Sequence, residues 1–550
     1  MSGPIPLAPS LRHRFYEPLI LLDALKSIYR KNGGTTPPDL ESGAGKSPKE
    51  TYFCFVNKLS QICDSQGKQA LAKTVSAIAV LDSGTIEYRL ASNLRERWAL
   101  EGTTQYLTSI LNILKGVEEK QLRDAAFMAP IFSDILRRVL AFNRPRVADY
   151  LESLHRDRPH GTSHLAFGIK FASTDGTDAG SGVAEALGRL QPLLEAARNA
   201  SDDAEFASRT EALLRSINAD YEPRLDEYLK TRARGVDEHD SPWSEIRHAL
   251  GRLLSYFIAI RVLISARKIW PQLFGDFIVT SIPSSIPQTF TDPPVRRSAD
   301  GILRRMGGGK AVLATHQKHA RSLQDHNLDE RLRTSASPSH FHPIVHAEVN
   351  LLDSVLASRA GAEADGDGPL RFFNEPEFGG YIGSSKPTCM LCSQWFAAHP
   401  TGIACRATHG NLYYNWRAPD VFRENLLEEE EAVGDDEDGG NPAERLRKDI
   451  LERMVKEVRA QAARALTERW LPRGAHDSRD TPTNPLRSES ELVRSMAAVS
   501  LDGASVAAAR RGAASVDLAS ARGVSDKVAR REKREVVDDG EDEDEGGAKL

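Results

Sequence analysis

Apolar residues recur at helical spacing along most of the first 270 positions, and the interruptions mark where strands belong. Residues 14–29 set Leu19, Leu22 and Leu25 on one stripe with Ile20 and Ile28 beside it, which predicts an amphipathic helix. Residues 51–63 predict a second, burying Phe53, Phe55, Val56 and Leu59. Residues 35–49, rich in Gly, Pro and Ser, read as a linker between them. From 74 to 93 the pattern changes to β-rich runs. Val75, Ile78 and Val80, then Ile86, Tyr88 and Leu90, flank Asp82-Ser83-Gly84-Thr85, as a β-hairpin would. From 94 to about 273 the helical period returns, in stripes such as Ile110, Leu111 and Leu114 or Leu250, Leu253, Leu254 and Phe257. No fixed repeat of 20 to 50 residues runs through them, so the stretch is a helical bundle or array and not a solenoid. It is either inserted between the hairpin and the segments beyond 300 or packed before those segments.

Beyond 300, short runs at 370–373, 381–383 and 403–408 read as strands around Pro376 and Gly379-Gly380. Residues 426–442 are an acidic linker. Leu446, Ile450, Met454, Val458, Ala462, Leu466 and Trp470 then recur every four residues. They predict a long amphipathic helix over 443–471 that docks on the domain or binds a protein partner. The Ser-, Ala-, Arg- and Asp-rich remainder, 472–550, reads as a disordered tail. The expected layout is therefore a helix and linker (1–49), a helix and hairpin (50–93) and a helical region (94–300). A chemical core (301–425), the acidic linker, the long helix and the tail come after them.

With 550 residues the chain has room for two or three folded units, and a net charge of -5 makes no electrostatic case for nucleic acid. Five cysteines are too few and too odd in number for a disulfide scaffold, which points to a reducing compartment, cytoplasmic or nuclear. The first ten residues lack a basic-then-apolar leader, and no apolar run reaches the ~20 residues of a membrane span. Arg530, Arg531, Lys533 and Arg534 form a weak nuclear-import patch, diluted by Glu532 and the acidic end.

Two short segments carry the chemistry: His346-Ala347-Glu348 and Pro387-Thr388-Cys389-Met390-Leu391-Cys392. Together they offer one imidazole, two thiols and a carboxylate. Three protein ligands with an open fourth position are what a catalytic zinc site needs, and water there ionises with a pKa of about 7. Cys389 and Cys392, three apart, fall on one helix face, with Pro387 expected in that helix's first turn. Their thiols would lie at the positive end of the helix dipole, which favours thiolate. His346 and Glu348 are two apart and do not share a helix face, so a helix should begin there. It would continue by burying Leu351, Leu352, Val355 and Leu356. Glu348, free of the metal, is placed to shuttle protons. The alternatives are a closed structural site with His342 or Cys405 as fourth ligand, as in a non-catalytic zinc-stabilised interaction module, and no metal at all. Glu348 favours the open site, since a closed one has no use for a neighbouring carboxylate.

The arrangement His-x-Glu … Pro-Cys-x-x-Cys is similar to the signature of zinc-dependent nucleobase deaminases. More specifically, Tyr381-Ile382-Gly383-Ser384-Ser385-Lys386-Pro387-Thr388-Cys389-Met390-Leu391-Cys392, with Ala407-Thr408-His409-Gly410-Asn411-Leu412-Tyr413-Tyr414-Asn415-Trp416, resembles the OTT-type deaminase family. That is a branch of the cytidine deaminase-like superfamily common in fungi. The resemblance spans roughly 341–419. It implies a three-layer α/β/α fold, Zn2+ as cofactor and hydrolytic deamination of a nucleobase, free or within a nucleotide or nucleic acid. Thr388 departs from the general signature by separating Pro387 from Cys389, and residues 359–368 are an acidic, Gly-rich insertion expected as a surface loop.

Substrate contacts are expected from the backbone around Ser385 and Lys386 and from the loop bearing His409, Asn411, Tyr413, Tyr414 and Trp416. Those rings and amides suit stacking on a base or reading it. Core packing explains Trp416 equally well. Asn93, at the end of the hairpin, is either the counterpart of a ribose-binding Asn in small cytidine deaminases or the cap of a helix starting at Leu94. Gly307-Gly308-Gly309-Lys310 lacks the first glycine and the Ser/Thr of a phosphate loop and reads as a turn. Arg296, Arg297, Arg304, Arg305 and Lys310 form a basic cluster, a solvated face or a contact for substrate phosphate.

Overall fold

Strands from distant parts of the chain meet in one sheet in the computed structural model. It describes residues 3–29, 47–67, 75–156, 161–220, 223–233, 241–290, 298–364, 369–422 and 441–469. The chain begins with α1 (Pro9–Tyr29) and α2 (Pro48–Ile62), then the hairpin β1 (Ser76–Asp82) and β2 (Ile86–Ser92). The helical region continues as α3 (Arg97–Lys115), α4 (Ala125–Phe142), α5 (Arg144–His155), α6 (His164–Ser173), α7 (Asp178–Arg198), α8 (Asp203–Asp220), α9 (Pro223–Ala233) and α10 (Pro242–Ile269). Next come β3 (Phe277–Ser281), α11 (Ala299–Met306), α12 (Lys310–Ser322), α13 (Leu328–Ser335) and α14 (Ala347–Ala364). The chemical core ends with β4 (Arg371–Phe372), α15 (Glu375–Phe378), β5 (Tyr381–Ser384), α16 (Met390–Ala398) and β6 (Ala404–Cys405), with α17 (Pro442–Glu468) after it.

The strand order is β3-β2-β1-β5-β6, with β4 also on β1. β1 runs antiparallel to β2, β4 and β5, whereas β2–β3 and β5–β6 are parallel. Alternation along β1 sends side chains to two cores. Ile78 and Val80 join the core of α2 and the helical region, while Ala77, Ala79 and Leu81 join that of α1, α14, α16 and α17. The sheet is thus mixed and covered by helices on both faces. At the hairpin tip Gly84 adopts φ 96°, and its N–H donates to Asp82 Oδ1 at 2.9 Å.

The order of the first elements comes from local chemistry. Ser47 and Glu50 form a reciprocal capping box with Pro48 in the first turn, so α2 starts at the end of the expected linker. Residues 35–46 of that linker lie outside the described residues. α2 buries Tyr52, Phe55, Val56, Leu59 and Ile62, and it crosses β5 so closely that position 383 admits only glycine. A Cβ there would lie 2.7 Å from Val56 Cγ1 and 2.8 Å from the Val56 backbone carbon.

Three points of the sequence reading need correction. First, no apolar run was expected to match a membrane span, yet an 18-residue window of α10 has mean hydropathy 1.6. That window is 83% buried inside the protein, with α2, α4, α5, α6, α8 and α9 packed around the helix. A helix enclosed on every side has no need of a polar stripe. Second, β3 has no counterpart in the sequence reading. Five residues at a sheet edge are too few to show a period, and the strand exists because β2 pairs with it. Third, the helix expected from Leu94 starts at Arg97, because Leu94 takes φ 22°, outside helical space. α1 and α17 share one core. Met454, Val455, Val458, Ala462 and Leu466 of α17 are buried in the core that α1 and α14 share. α17 lies along α1 and also touches α12 and α16. α17 therefore docks on the domain, one of the two roles expected for it.

The expected surface insertion at 359–368 is helical through Ala364 as the end of α14, where Arg359 pairs with Glu375 at 2.6 Å. Residues 365–368 fall outside the described residues. So do Arg296, Arg297, the acidic run, Trp470, the tail and its basic patch. In what remains of the 296–310 cluster, Arg304 pairs with Asp300 at 2.8 Å and Arg305 with Glu17 at 2.9 Å.

Candidate metal centre

Two helix N-termini converge on the side chains of His346, Cys389 and Cys392. The first belongs to α14: His346 precedes it, and its carbonyl accepts from Asn350 N at 2.8 Å, the first turn's bond. Ala347 N–H, one of the helix's orphan donors, is satisfied by Asn93 Oδ1 at 2.7 Å. Asn93 therefore caps a helix, but the metal-site helix far along the chain and not the one after the hairpin. The second terminus is that of α16, where Cys389 is the N-cap and its Sγ accepts from Cys392 N at 3.4 Å. Pro387 lies before this cap and not in the first turn as expected, because the Thr388 insertion moves the helix start to Met390.

His346 Nδ1 lies 3.5 Å from Cys389 Sγ and 3.4 Å from Cys392 Sγ. An imidazole nitrogen and a thiolate bound tetrahedrally to zinc, at about 2.05 and 2.3 Å, would be about 3.6 Å apart. The observed separations match that spacing. Among the described residues these three are the group of His, Cys, Asp or Glu able to hold a metal ion. His342 and Cys405, the candidate fourth ligands, are not in it. His342 donates its backbone N–H to Asn415 Oδ1 at 2.8 Å, and burial pushes the Cys405 thiol up to about 12.

Electrostatics prepares the cluster for a cation. Burial raises the Cys389 thiol, but the hydrogen bond with Cys392 and the His346 imidazole outweigh it and hold the group well below its ordinary range. Burial would lower the His346 imidazole, and the Cys389 thiolate reverses that and raises it. Cys392 is pushed well above its usual value by burial and then by its bond with Cys389. A metal bound there would take the place of the protons these groups carry.

Glu348 completes the site without joining the ligands. It is 3% exposed, its Oε2 lies 3.8 Å from Cys392 Sγ, and its Oε1 accepts from Ser384 Oγ at 3.0 Å. Burial holds its carboxyl above the ordinary carboxylate range. Ser384 is itself fixed: its N–H donates to Asn57 Oδ1 at 3.1 Å, and its carbonyl accepts from Arg406 Nη1 at 3.0 Å. Sequence reasoning missed Ser384, Asn57 and Arg406. No local pattern marks them, because each acts only once β5 lies between α2, α14 and β6.

The other expected contacts separate into two groups. Tyr413, 37% exposed, has its ring centre 6.5 Å from that of His346, and His409 lies edge-on to Tyr413 at 5.9 Å. Tyr413 is thus the ring beside the cluster, and the buried His409 packs against it. Asn411 stands beside them, its N–H donating to His409 Nδ1 at 2.9 Å and its Oδ1 accepting from Lys26 Nζ at 3.2 Å. Trp416 is fully buried against Phe15 and Trp395 and belongs to the core. Ser385 is tied inward, its Oγ donating to Asp64 Oδ2 at 2.9 Å and accepting from Ser76 N at 3.1 Å. Asp64 in turn pairs with Arg146 at 2.9 Å, which ties the residue after β5 to the helical region. Lys386 is buried.

Residues 345–420 match the family model described as OTT_1508_deam:-like deaminase, which covers the ligand set, Glu348 and the loop to Trp416. Neither the curated proteins nor the solved structures yield a match to this chain.

Proposed function

Starting from a deaminase-family domain at residues 345–420, we propose that this protein is a zinc-dependent hydrolytic deaminase of a nucleobase. The observation that carries the proposal is Glu348: a buried carboxyl beside three metal-ligand side chains, held by Ser384 and not needed to complete them. One imidazole and two thiolates are a donor set that zinc takes in open catalytic sites. A zinc ion held there supplies Lewis-acid activation of water as a nucleophile at neutral pH.

The rest of the chemistry falls to the chain's own groups. With Oε1 anchored by Ser384, Glu348 Oε2 is the oxygen that faces the ligands and receives the nucleophile's proton. It delivers that proton to the ring nitrogen and then serves the departing amine, so water and the amino compound become the carbonyl compound and ammonia. A carboxyl held above its usual range is suited to giving the proton up as well as taking it. Tyr413 and His409 would stack on the base, and Asn93 would line the same end of α14. The helices on both faces of the sheet and the Cys-based ligand set support a three-layer cytidine deaminase-like arrangement of this domain.

The test is ammonia release from nucleosides, nucleotides and single-stranded DNA and RNA by wild type and Glu348→Gln. Glutamine keeps the oxygen that accepts from Ser384, so metal content and melting temperature should hold. The rate should fall by about a hundred- to ten-thousand-fold. An undiminished rate in a folded, zinc-loaded variant would overturn the mechanism. Wild type inactive on every such substrate would indicate the zinc-stabilised interaction module instead.

A further inference from the structure

The segment that leads out of β2 into α3 carries more constraint than a connection needs. Leu94 takes φ 22°, a positive value that residues with a side chain seldom adopt. Arg95 is buried, its Nη1 donating to the Cys63 carbonyl at 3.0 Å and to Thr103 Oγ1 at 2.7 Å. Its backbone N–H donates to Ser284 Oγ at 3.0 Å, and that hydroxyl donates to the Ser92 carbonyl at 2.7 Å. Strained backbone persists only where the surroundings over-determine it, as these bonds do. The side chain this segment holds out to solvent is Trp98, 72% exposed. Its ring is fixed, because the indole N–H donates to Glu96 Oε2 at 2.6 Å. A large flat surface is thus held ready in water.

Two connections place the segment at the rim of the metal centre. Asn93 Oδ1 accepts from Ala347 N, beside His346, at 2.7 Å. Cys63, which Arg95 holds, precedes Asp64, and Asp64 Oδ2 accepts from Ser385 Oγ at 2.9 Å, shortly before the cysteine ligands. Five residues of chain reach about 18 Å at most, and the start of α3 at Arg97 shortens that span between Asn93 and Trp98. On the adjoining segment Ser285 Oγ accepts from Val345 N at 3.0 Å, and Ile286 after it is 81% exposed. On the loop after β6, Asn415 accepts from Ile344 N at 3.2 Å, two residues beyond the exposed Tyr413. Trp98, Ile286 and Tyr413 therefore stand on three segments that all meet residues 344–347.

We propose that the metal centre takes a base within a single-stranded nucleic acid and that Trp98 stacks on a neighbouring base of the same strand. This rests on the deaminase reading and names its substrate class. The base under attack lies at the ligands beside Tyr413, and a ring five residues past Asn93 is placed for the next base along. A free nucleoside has no second base to offer it. Every base has a π-face, so such a platform serves any sequence. With a net charge of -5 on the chain, rings hold the strand more than charge does, and added salt should weaken binding little.

Fluorescence anisotropy of the full-length, zinc-loaded protein with short end-labelled single strands of DNA and of RNA is the test. Saturable binding is expected, weakened about 5- to 150-fold in Trp98→Ala and largely restored in Trp98→Phe. The ring is exposed, so both variants should melt at the wild-type temperature. A strand of abasic residues should bind wild type and Trp98→Ala alike. Tighter binding of one polymer assigns the strand to RNA or to DNA. Failure of both strands to saturate, or binding that Trp98→Ala leaves unchanged, overturns the proposal. Wild-type self-association that Trp98→Ala abolishes, without strand binding, assigns the ring to an interface between copies and also overturns it. Binding is read without turnover. A protein that binds strands through Trp98 but releases no ammonia would keep the strand site and sink the deaminase; ammonia release from nucleosides without strand binding would do the reverse.

Discussion

Replacing Asn93 by alanine removes the acceptor for the first N–H of α14, the helix that begins next to His346. The bond is 2.7 Å and buried, so water does not restore it. Losing a helix cap costs about 0.5–2 kcal/mol, and stranding a buried donor costs about 1–3 kcal/mol. These describe one loss, for which about 2 kcal/mol is a fair central value. If all of it falls on the metal-bound state, zinc affinity drops about 30-fold. Urea unfolding of Asn93→Ala with and without zinc, together with competition against a chelator of known affinity, measures both quantities. Asn93→Asp is the control: it keeps the acceptor and adds a charge that favours a helix N-terminus, so stability should recover. An Asn93→Ala protein with wild-type stability and zinc affinity would refute the capping role. If only its KM had risen, Asn93 would be a substrate contact instead.

Three further outcomes are expected. Elemental analysis should find about one zinc per chain, lost in Cys389→Ser or His346→Ala and kept in His342→Ala; full zinc in Cys389→Ser would refute the ligand assignment. A fragment starting at Ala336 lacks β1, on which β4 and β5 pair, and should show no cooperative melt by circular dichroism. A fragment that melts cooperatively and binds zinc would place the hairpin in another unit. Burial raises Glu211, but its bonds with Arg215, Ser133 and Arg137 outweigh this and hold it below the usual range. A depressed carboxylate binds fewer protons folded than unfolded, so its stabilisation is present above about pH 4.3 and fades as pH falls through the folded value. The melting temperature should fall on acidification, and less steeply in Glu211→Gln.

The sequence by itself determined what depends on near neighbours. Helical stripes, the hairpin around Gly84 and the two segments carrying His346, Glu348, Cys389 and Cys392 could be read because period, turn chemistry and ligand spacing are local properties. Tertiary structure decided what depends on contact between distant segments. The sheet brings β1 beside β5, so Asn93 reaches Ala347, and Asn57 and Arg406 fix the Ser384 that holds Glu348. Burial also chose between readings that residue type leaves open. Trp416 became core because Phe15 and Trp395 close over it, while Tyr413, three residues earlier, stayed exposed beside His346. A side chain's type fixes what it can bond to; whether water, substrate or the protein's own core supplies the partner depends on which elements pack around it.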